Sequence, residues 1–145
     1  MVVGENSGTV LTSKRFGAFR AIRITAPLIL VLVLIQAVMA GRGLMYGGNA
    51  ITIHGGIGNL TFLVALAQLI LVLLAGLRGP GRWPLVITNT LLFVLLIVQL
   101  GLGYGGNENP VAAWWHIPNG VFLFGVATVA TCLAWMKAPV STRTA

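Results

Sequence analysis

The chain has 145 residues, of which 57% are hydrophobic and 8% are charged, and its formal net charge is +7. So few charged residues beside so many hydrophobic ones cannot cover a globular surface, which excludes an ordinary water-soluble domain. The positive charge does not indicate nucleic-acid binding, because the basic residues lie in short segments beside apolar stretches and not on a folded basic face. The composition therefore predicts an integral membrane protein in contact with lipid.

Four apolar stretches follow one another along the chain, at residues 21–40, 57–77, 84–102 and 117–136. Each holds about 20 residues, which at roughly 1.5 Å per residue matches a hydrocarbon layer of about 30 Å. We therefore expect an all-α, integral membrane four-helix bundle of up-down topology over residues 21–138. Cytoplasmic tails are expected at residues 1–20 and 139–145.

The basic residues indicate how the bundle is oriented. In an up-down order, every Lys and Arg except Arg42 lies at the side that carries both termini. By the positive-inside rule, both termini lie in the cytoplasm. The prediction is a multi-pass protein of a prokaryotic plasma (inner) membrane, with Arg42 as the one basic residue outside.

Two parts of the sequence repeat. Gly-Leu-Met-Tyr-Gly-Gly-Asn at 43–49 resembles Gly-Leu-Gly-Tyr-Gly-Gly-Asn at 101–107, and each precedes a segment that reads His-x-x-x-Gly-x-x-x-Phe. The two copies of this signature are His54, Gly58, Phe62 and His116, Gly120, Phe124. The pattern predicts a bundle built from two helix-pair repeats.

The starts of the second and fourth helices also have sequence signals. Asn49 is a typical N-cap for the second helix, and Asn109 followed by Pro110 gives the fourth helix a cap and a first-turn proline. Both histidines then lie one to two turns inside their helices, near the outer surface. Pro118 is expected to kink the fourth helix.

Each signature places three residues along one helix face: a histidine, a glycine and a phenylalanine. A helix turns by about 100° per residue, so residues four and eight positions after the histidine stay close to it on that face. An imidazole, a gap and an aromatic ring suit a flat macrocycle that the imidazole ligates, because glycine lets it approach the backbone. The pattern predicts a haem or a related tetrapyrrole.

The two histidines are predicted to meet. The second and fourth helices run parallel and lie diagonally across an up-down bundle, so both imidazoles can ligate one haem b. Arg42 is the candidate partner of a haem propionate, aided by hydrogen bonds from Tyr46 or Tyr104, or from the neighbouring tryptophans.

The other polar residues in the spans offer no acidic or basic pair. The absence of Asp, Glu and Lys from the span interiors disfavours a proton relay. Interhelical hydrogen bonding is the expected role of the remaining amides and hydroxyls, with a quinone contact in the inner half of the bundle as an alternative. The residues in this set are Gln36, Gln68, Thr88, Asn89, Thr90 and Gln99.

The topology and the places of His54 and His116 resemble one half of a haem A synthase, and also the small four-helix b-type cytochromes of membrane oxidoreductases. The resemblance implies histidine ligands on the second and fourth helices. Haem A synthases also carry a glutamate three residues before a ligand histidine and an arginine after it. Those places hold Ile51 and Gly55, so the resemblance implies haem binding and not synthase catalysis.

The preferred interpretation is a non-catalytic membrane haem protein with one bis-histidine haem b. It transfers electrons to a redox partner or is a haem-bearing subunit of a larger respiratory assembly. The first alternative is a bacteriochlorophyll- or quinone-binding membrane subunit. The second alternative is a cofactor-free structural or assembly subunit, in which the paired glycines are close-packing positions.

Overall fold

The computed structural model describes residues 6–75, 82–106 and 108–136, with side chains described from residue 17 onward. Its helices are α1 (Asn6–Tyr46), α2 (Ala50–Leu74), α3 (Arg82–Gly105) and α4 (Pro110–Met136). All four are long and apolar enough to cross a membrane, α1 from Gly17 onward. The predicted all-α transmembrane four-helix bundle is confirmed.

The helices extend beyond the apolar stretches. α1 begins at Asn6, so most of the segment that we expected as a tail is helical, and Phe19 within it is buried. Hydropathy marks only the part of a helix that suits lipid, whereas backbone hydrogen bonding continues through its polar ends. The expected C-terminal tail at 139–145 lies outside the described residues.

Each helix packs against two neighbours. α1 contacts α2 and α4, and α3 contacts the same two helices. α2 and α4 therefore occupy diagonal positions, as predicted from the up-down order. Because both begin at the same end of the bundle, their first turns face each other across its interior.

The core consists of two clusters of buried side chains. Alanines supply several of the positions on α4, which lets neighbouring helices approach closely. The central cluster contains Ile29, Val33, Ala65, Leu92, Leu96, Leu123, Ala127 and Ala130. The second, toward the α2–α3 connection, contains Ile22, Ala26, Val72, Ala75, Leu85 and Ala134. The histidines lie at the opposite end of the bundle from this second cluster.

The two predicted N-caps differ. The side-chain Oδ1 of Asn109 accepts a hydrogen bond of 2.9 Å from the backbone N–H of Val111, and Pro110 is the first residue of α4, as predicted. Asn49 is the N-cap residue of α2, as predicted, but its side chain makes no capping bond. Its backbone is helical, with φ −72° and ψ −3°, whereas a capping residue normally has an extended conformation.

Candidate cofactor site

The two histidines meet across the diagonal of the bundle. His54 lies in the second turn of α2 and His116 in the second turn of α4. Their ring centroids are 5.8 Å apart, and the ring planes are inclined by 69°. The helices thus bring the two imidazoles to one depth inside the bundle.

Each ring forms a hydrogen bond through Nδ1 to a backbone carbonyl oxygen. Nδ1 of His54 lies 3.0 Å from the carbonyl oxygen of Gln36, and Nδ1 of His116 lies 3.1 Å from that of Gln99. A carbonyl can only accept, so Nδ1 carries the proton and donates. In the neutral ring, Nε2 then keeps its lone pair, which is the tautomer that ligates a metal through Nε2.

The supporting glutamines come from the helix that precedes each histidine in the chain. Gln36 is on α1, 18 residues before His54, and Gln99 is on α3, 17 residues before His116. The repeat that builds the site is therefore a glutamine on one helix and a histidine on the next.

The glycines of the signature lie against the side chains of these glutamines. A Cβ atom on Gly58 would lie 2.9 Å from Nε2 of Gln36, and one on Gly120 would lie 3.3 Å from Nε2 of Gln99. In this structure a glutamine amide occupies the recess beside each glycine. That the recess receives a macrocycle stays a prediction.

The second half of the site, which α3 and α4 form around His116, is fully hydrogen-bonded. Nε2 of Gln99 lies 3.1 Å from Nε2 of His116. Oε1 of Gln99 accepts a hydrogen bond of 2.6 Å from Nδ2 of Asn119, which also donates to the carbonyl oxygen of Leu95 at 3.1 Å. The lone pair of His116 is therefore engaged.

The first half of the site, which α1 and α2 form around His54, has two hydrogen-bond acceptors without a partner among the described residues. Oε1 of Gln36 is buried and has no hydrogen-bond partner among the described residues. The hydrogen bond of the His54 ring is the one from Nδ1, so its Nε2 lone pair is not engaged within the same described part of the chain. Position 57, three residues after His54, is isoleucine, whereas the matching position after His116 is Asn119. The two halves are alike in backbone support and unlike in side-chain bonding.

The two phenylalanines of the signature are not equivalent. Phe62 stacks on Phe93 of α3, with ring centroids 5.2 Å apart and planes inclined by 28°. Phe124 is 40% exposed. Phe62 therefore contributes to packing between α2 and α3, and Phe124 faces outward.

The predicted propionate partners have contacts of their own in this structure. Arg42 and Tyr46 line a cleft of about 310 Å³ at the α1–α2 connection, and neither histidine lines it. The hydroxyl of Tyr104 donates to Oδ1 of Asn59 at 2.9 Å. The structure thus joins the two histidines, and the roles of Arg42, Tyr46 and Tyr104 toward a haem propionate stay predictions.

Sequence reasoning missed the specific role of three residues. From the sequence, Gln36 and Gln99 have only a general role in interhelical hydrogen bonding, and Asn119 has no assigned role. A signal was available, since both glutamines precede a histidine by nearly the same interval. The outer-loop copies do not reveal this signal, because the separation between the two loop copies differs from the separation between the two histidines.

The residues present fit a haem. A tetrapyrrole supplies four donors of its own and leaves one or two axial positions for protein ligands. Nε2 of His54 is available, Nε2 of His116 is covered by a side-chain amide that three torsions can move, and the orphaned Oε1 of Gln36 lies in the buried interior. Within the described ranges, no three His, Cys, Asp or Glu side chains gather as they would for an ion held by protein alone.

Comparisons with known proteins give no relative. The chain matches no protein-family model, no curated protein and no solved structure. What it does must therefore be argued from its own residues.

Proposed function

We propose that this protein is a membrane b-type haem protein in which His54 and His116 hold one haem b. The observation that supports the proposal is the approach of the two imidazoles to 5.8 Å from diagonal helices, each with Nδ1 on a backbone carbonyl. Two rings of one tautomer at one depth would together supply the two histidine ligands of the haem.

The surroundings of the pair suit ligation. A hydrogen bond from Nδ1–H to a carbonyl orients the ring and raises the basicity of Nε2. The carbonyls of Gln36 and Gln99 do this for both rings. Both histidines are half-buried, so access of water is limited.

The proposed activity is electron transfer, either as a carrier or within a larger respiratory assembly. Haem b supplies a one-electron couple when bound, and with both histidines bound to the iron no coordination position would remain for substrate. In the proposed orientation, with both termini in the cytoplasm of a prokaryotic plasma membrane, the site lies near the outer surface, where a redox partner can approach.

A quinone contact is a further part of the proposal, in the inner half of the bundle. Gln68 donates a hydrogen bond of 2.6 Å to Oδ1 of Asn89, the interhelical bond expected of such an amide. Its Oε1 is buried without a partner among the residues described, which leaves an acceptor for the hydroxyl of a quinol.

The test of haem binding is the absorption spectrum of the purified protein, oxidised and then reduced. We expect a low-spin six-coordinate spectrum in the wild type, and a high-spin spectrum or loss of haem in His54→Ala and His116→Ala. Leu60→Ala, on the exposed face of α2, is the control for membrane insertion and yield. A wild type that stays colourless after expression with added haem contradicts the proposal.

A second candidate function is that of a cofactor-free structural or assembly subunit. The filling of both glycine recesses by glutamine amides favours it, because Gly58 and Gly120 then already have a packing role. A bacteriochlorophyll subunit is the remaining alternative, since magnesium takes a single imidazole and only His54 has a free Nε2 among the described residues. Pigment extraction from the purified protein distinguishes the three.

A further inference from the structure

Gln99 holds His116 at both ring nitrogens. Its backbone carbonyl oxygen lies 3.1 Å from Nδ1, and its side-chain Nε2 lies 3.1 Å from Nε2 of the same ring. Nδ1–H donates to the carbonyl, so Nε2 is the acceptor and the amide N–H is its donor. The atom that must ligate iron is thus covered by an amide.

Asn119 fixes that amide. It donates to Oε1 of Gln99 at 2.6 Å and to the carbonyl oxygen of Leu95 at 3.1 Å. The first bond also decides which end of the Gln99 amide faces His116, because an oxygen bound to Asn119 leaves the nitrogen to face the ring. Gly120 keeps the space open, since its missing Cβ would lie 3.3 Å from Nε2 of Gln99.

Among the described residues, the first half of the bundle (α1 and α2) has no equivalent arrangement. Gln36 gives His54 its backbone carbonyl, but Oε1 of Gln36 has no partner in the described part of the chain, and no amide covers Nε2 of His54. The two imidazoles therefore differ in how readily each can take a metal.

We propose that Gln99, held by Asn119, is a positioning residue that locks His116 away from iron, which makes the two axial ligands unequal. His54 is the permanent ligand. His116 ligates only when the Gln99 amide turns away, and while it is locked the iron has a position open to a small neutral ligand. The inference rests on the proposed haem site.

The lock is tested first in haem-free protein, by nitrogen-15 NMR of the histidine rings. The chain has only two histidines, so one His→Ala variant assigns both. We expect Nδ1 of both rings to carry a proton, and only the Nε2 resonance of His116 to show the shift of a hydrogen-bonded acceptor. Gln99→Met keeps the side-chain length and the backbone carbonyl but should abolish that shift.

Two further variants complete this experiment. Asn119→Ala should weaken the shift, because the Gln99 amide is then free to rotate. Gln36→Met is the matched control in the first half and should leave the His116 signal unchanged, since Gln36 bonds to His54. Equal Nε2 resonances for the two histidines in the wild type would overturn the proposal, whatever the protein binds.

The second test uses reduced, haem-loaded protein and carbon monoxide as the probe. Carbon monoxide binds the fraction in which His116 is off the iron, so removing the lock should slow its association. We expect about fivefold slower binding in Gln99→Met, the factor that corresponds to one net hydrogen bond. Leu85→Ala removes a buried side chain of the second cluster, at the opposite end of the bundle from the histidines, and is the control for general loosening.

The outcomes separate the two proposals. Haem binding with the same carbon monoxide rate in wild type and Gln99→Met would refute the lock and leave the haem site intact. A wild type with the NMR signature of the lock but no haem would refute the proposed function, and with it the carbon monoxide prediction, but not the hydrogen bond.

Discussion

Replacing Gly103 by alanine tests the position of His116 with a single methyl group. A Cβ atom at Gly103 would lie 3.0 Å from Cε1 and 3.4 Å from Nδ1 of His116. The ring cannot simply swing away, because both of its nitrogens bond to Gln99. Gly101, two residues earlier on α3, has open space around its Cβ position, so Gly101→Ala is a matched control.

The two variants should change the free energy of unfolding in opposite directions. Alanine is favoured over glycine inside a helix by up to about 1 kcal/mol, so Gly101→Ala should raise the free energy of unfolding by at most that amount. Gly103→Ala has the same gain, but overpacking against a fixed ring costs about 1–3 kcal/mol. We expect a change between about zero and 2 kcal/mol of destabilisation for Gly103→Ala.

The assay is unfolding of both variants in mixed micelles by titration with a denaturing detergent, followed by far-ultraviolet circular dichroism. The ring resonances of His116 should shift in Gly103→Ala and stay unchanged in Gly101→Ala. If both variants are stabilised equally and the His116 resonances do not move, the ring does not lie against α3 and the derived site is wrong.

Two further changes test the glycine recesses and the inner half of the bundle. Gly58→Leu should expel haem, although leucine suits a membrane helix. Gly55→Leu is the control and should keep haem, because the space around Gly55 is open. A full Soret band in both variants would show that the recess is not part of the cofactor site. Asn89→Leu should lower the free energy of unfolding by about 1–2 kcal/mol, because it leaves the buried Gln68 amide without its hydrogen-bond acceptor. The double variant Asn89→Leu, Gln68→Leu should recover much of this loss. Equal stability of the wild type, the single variant and the double variant would mean that the hydrogen bond between the two amides contributes nothing.

Much of the fold could be predicted from the sequence because a bilayer leaves few choices. A helix satisfies its own backbone in lipid, so four apolar stretches predict four helices, and short connections predict their antiparallel order. That order alone places α2 and α4 on a diagonal, which is why His54 and His116 could be expected to meet. The ends were less accurate, since α1 continues to Asn6 through residues that hydropathy does not mark.

The bonding around the histidines could not be predicted in the same way. Which carbonyl faces His54 depends on how far α1 and α2 are shifted along each other, and small differences in connection length change that shift. Rotation within one turn also decides that Phe62 meets Phe93 while Phe124 faces outward. The seven-residue loop copies indicate a duplication but do not give its register in the core, where Gln99 rather than the loop fixes His116.

The acceptors of the two Nδ1 protons belong to the main chain, which has a consequence for how such a site can change over generations. A substitution at position 36 or 99 replaces a side chain and leaves the carbonyl in place. The hydrogen bond from Nδ1 that orients each imidazole is therefore kept when the side chain at position 36 or 99 changes. Selection can then alter what lies next to Nε2, from a covering amide to an apolar group, without losing the orientation of the ring. A bundle of this kind can diversify the reactivity of its centre one residue at a time while its geometry is inherited unchanged.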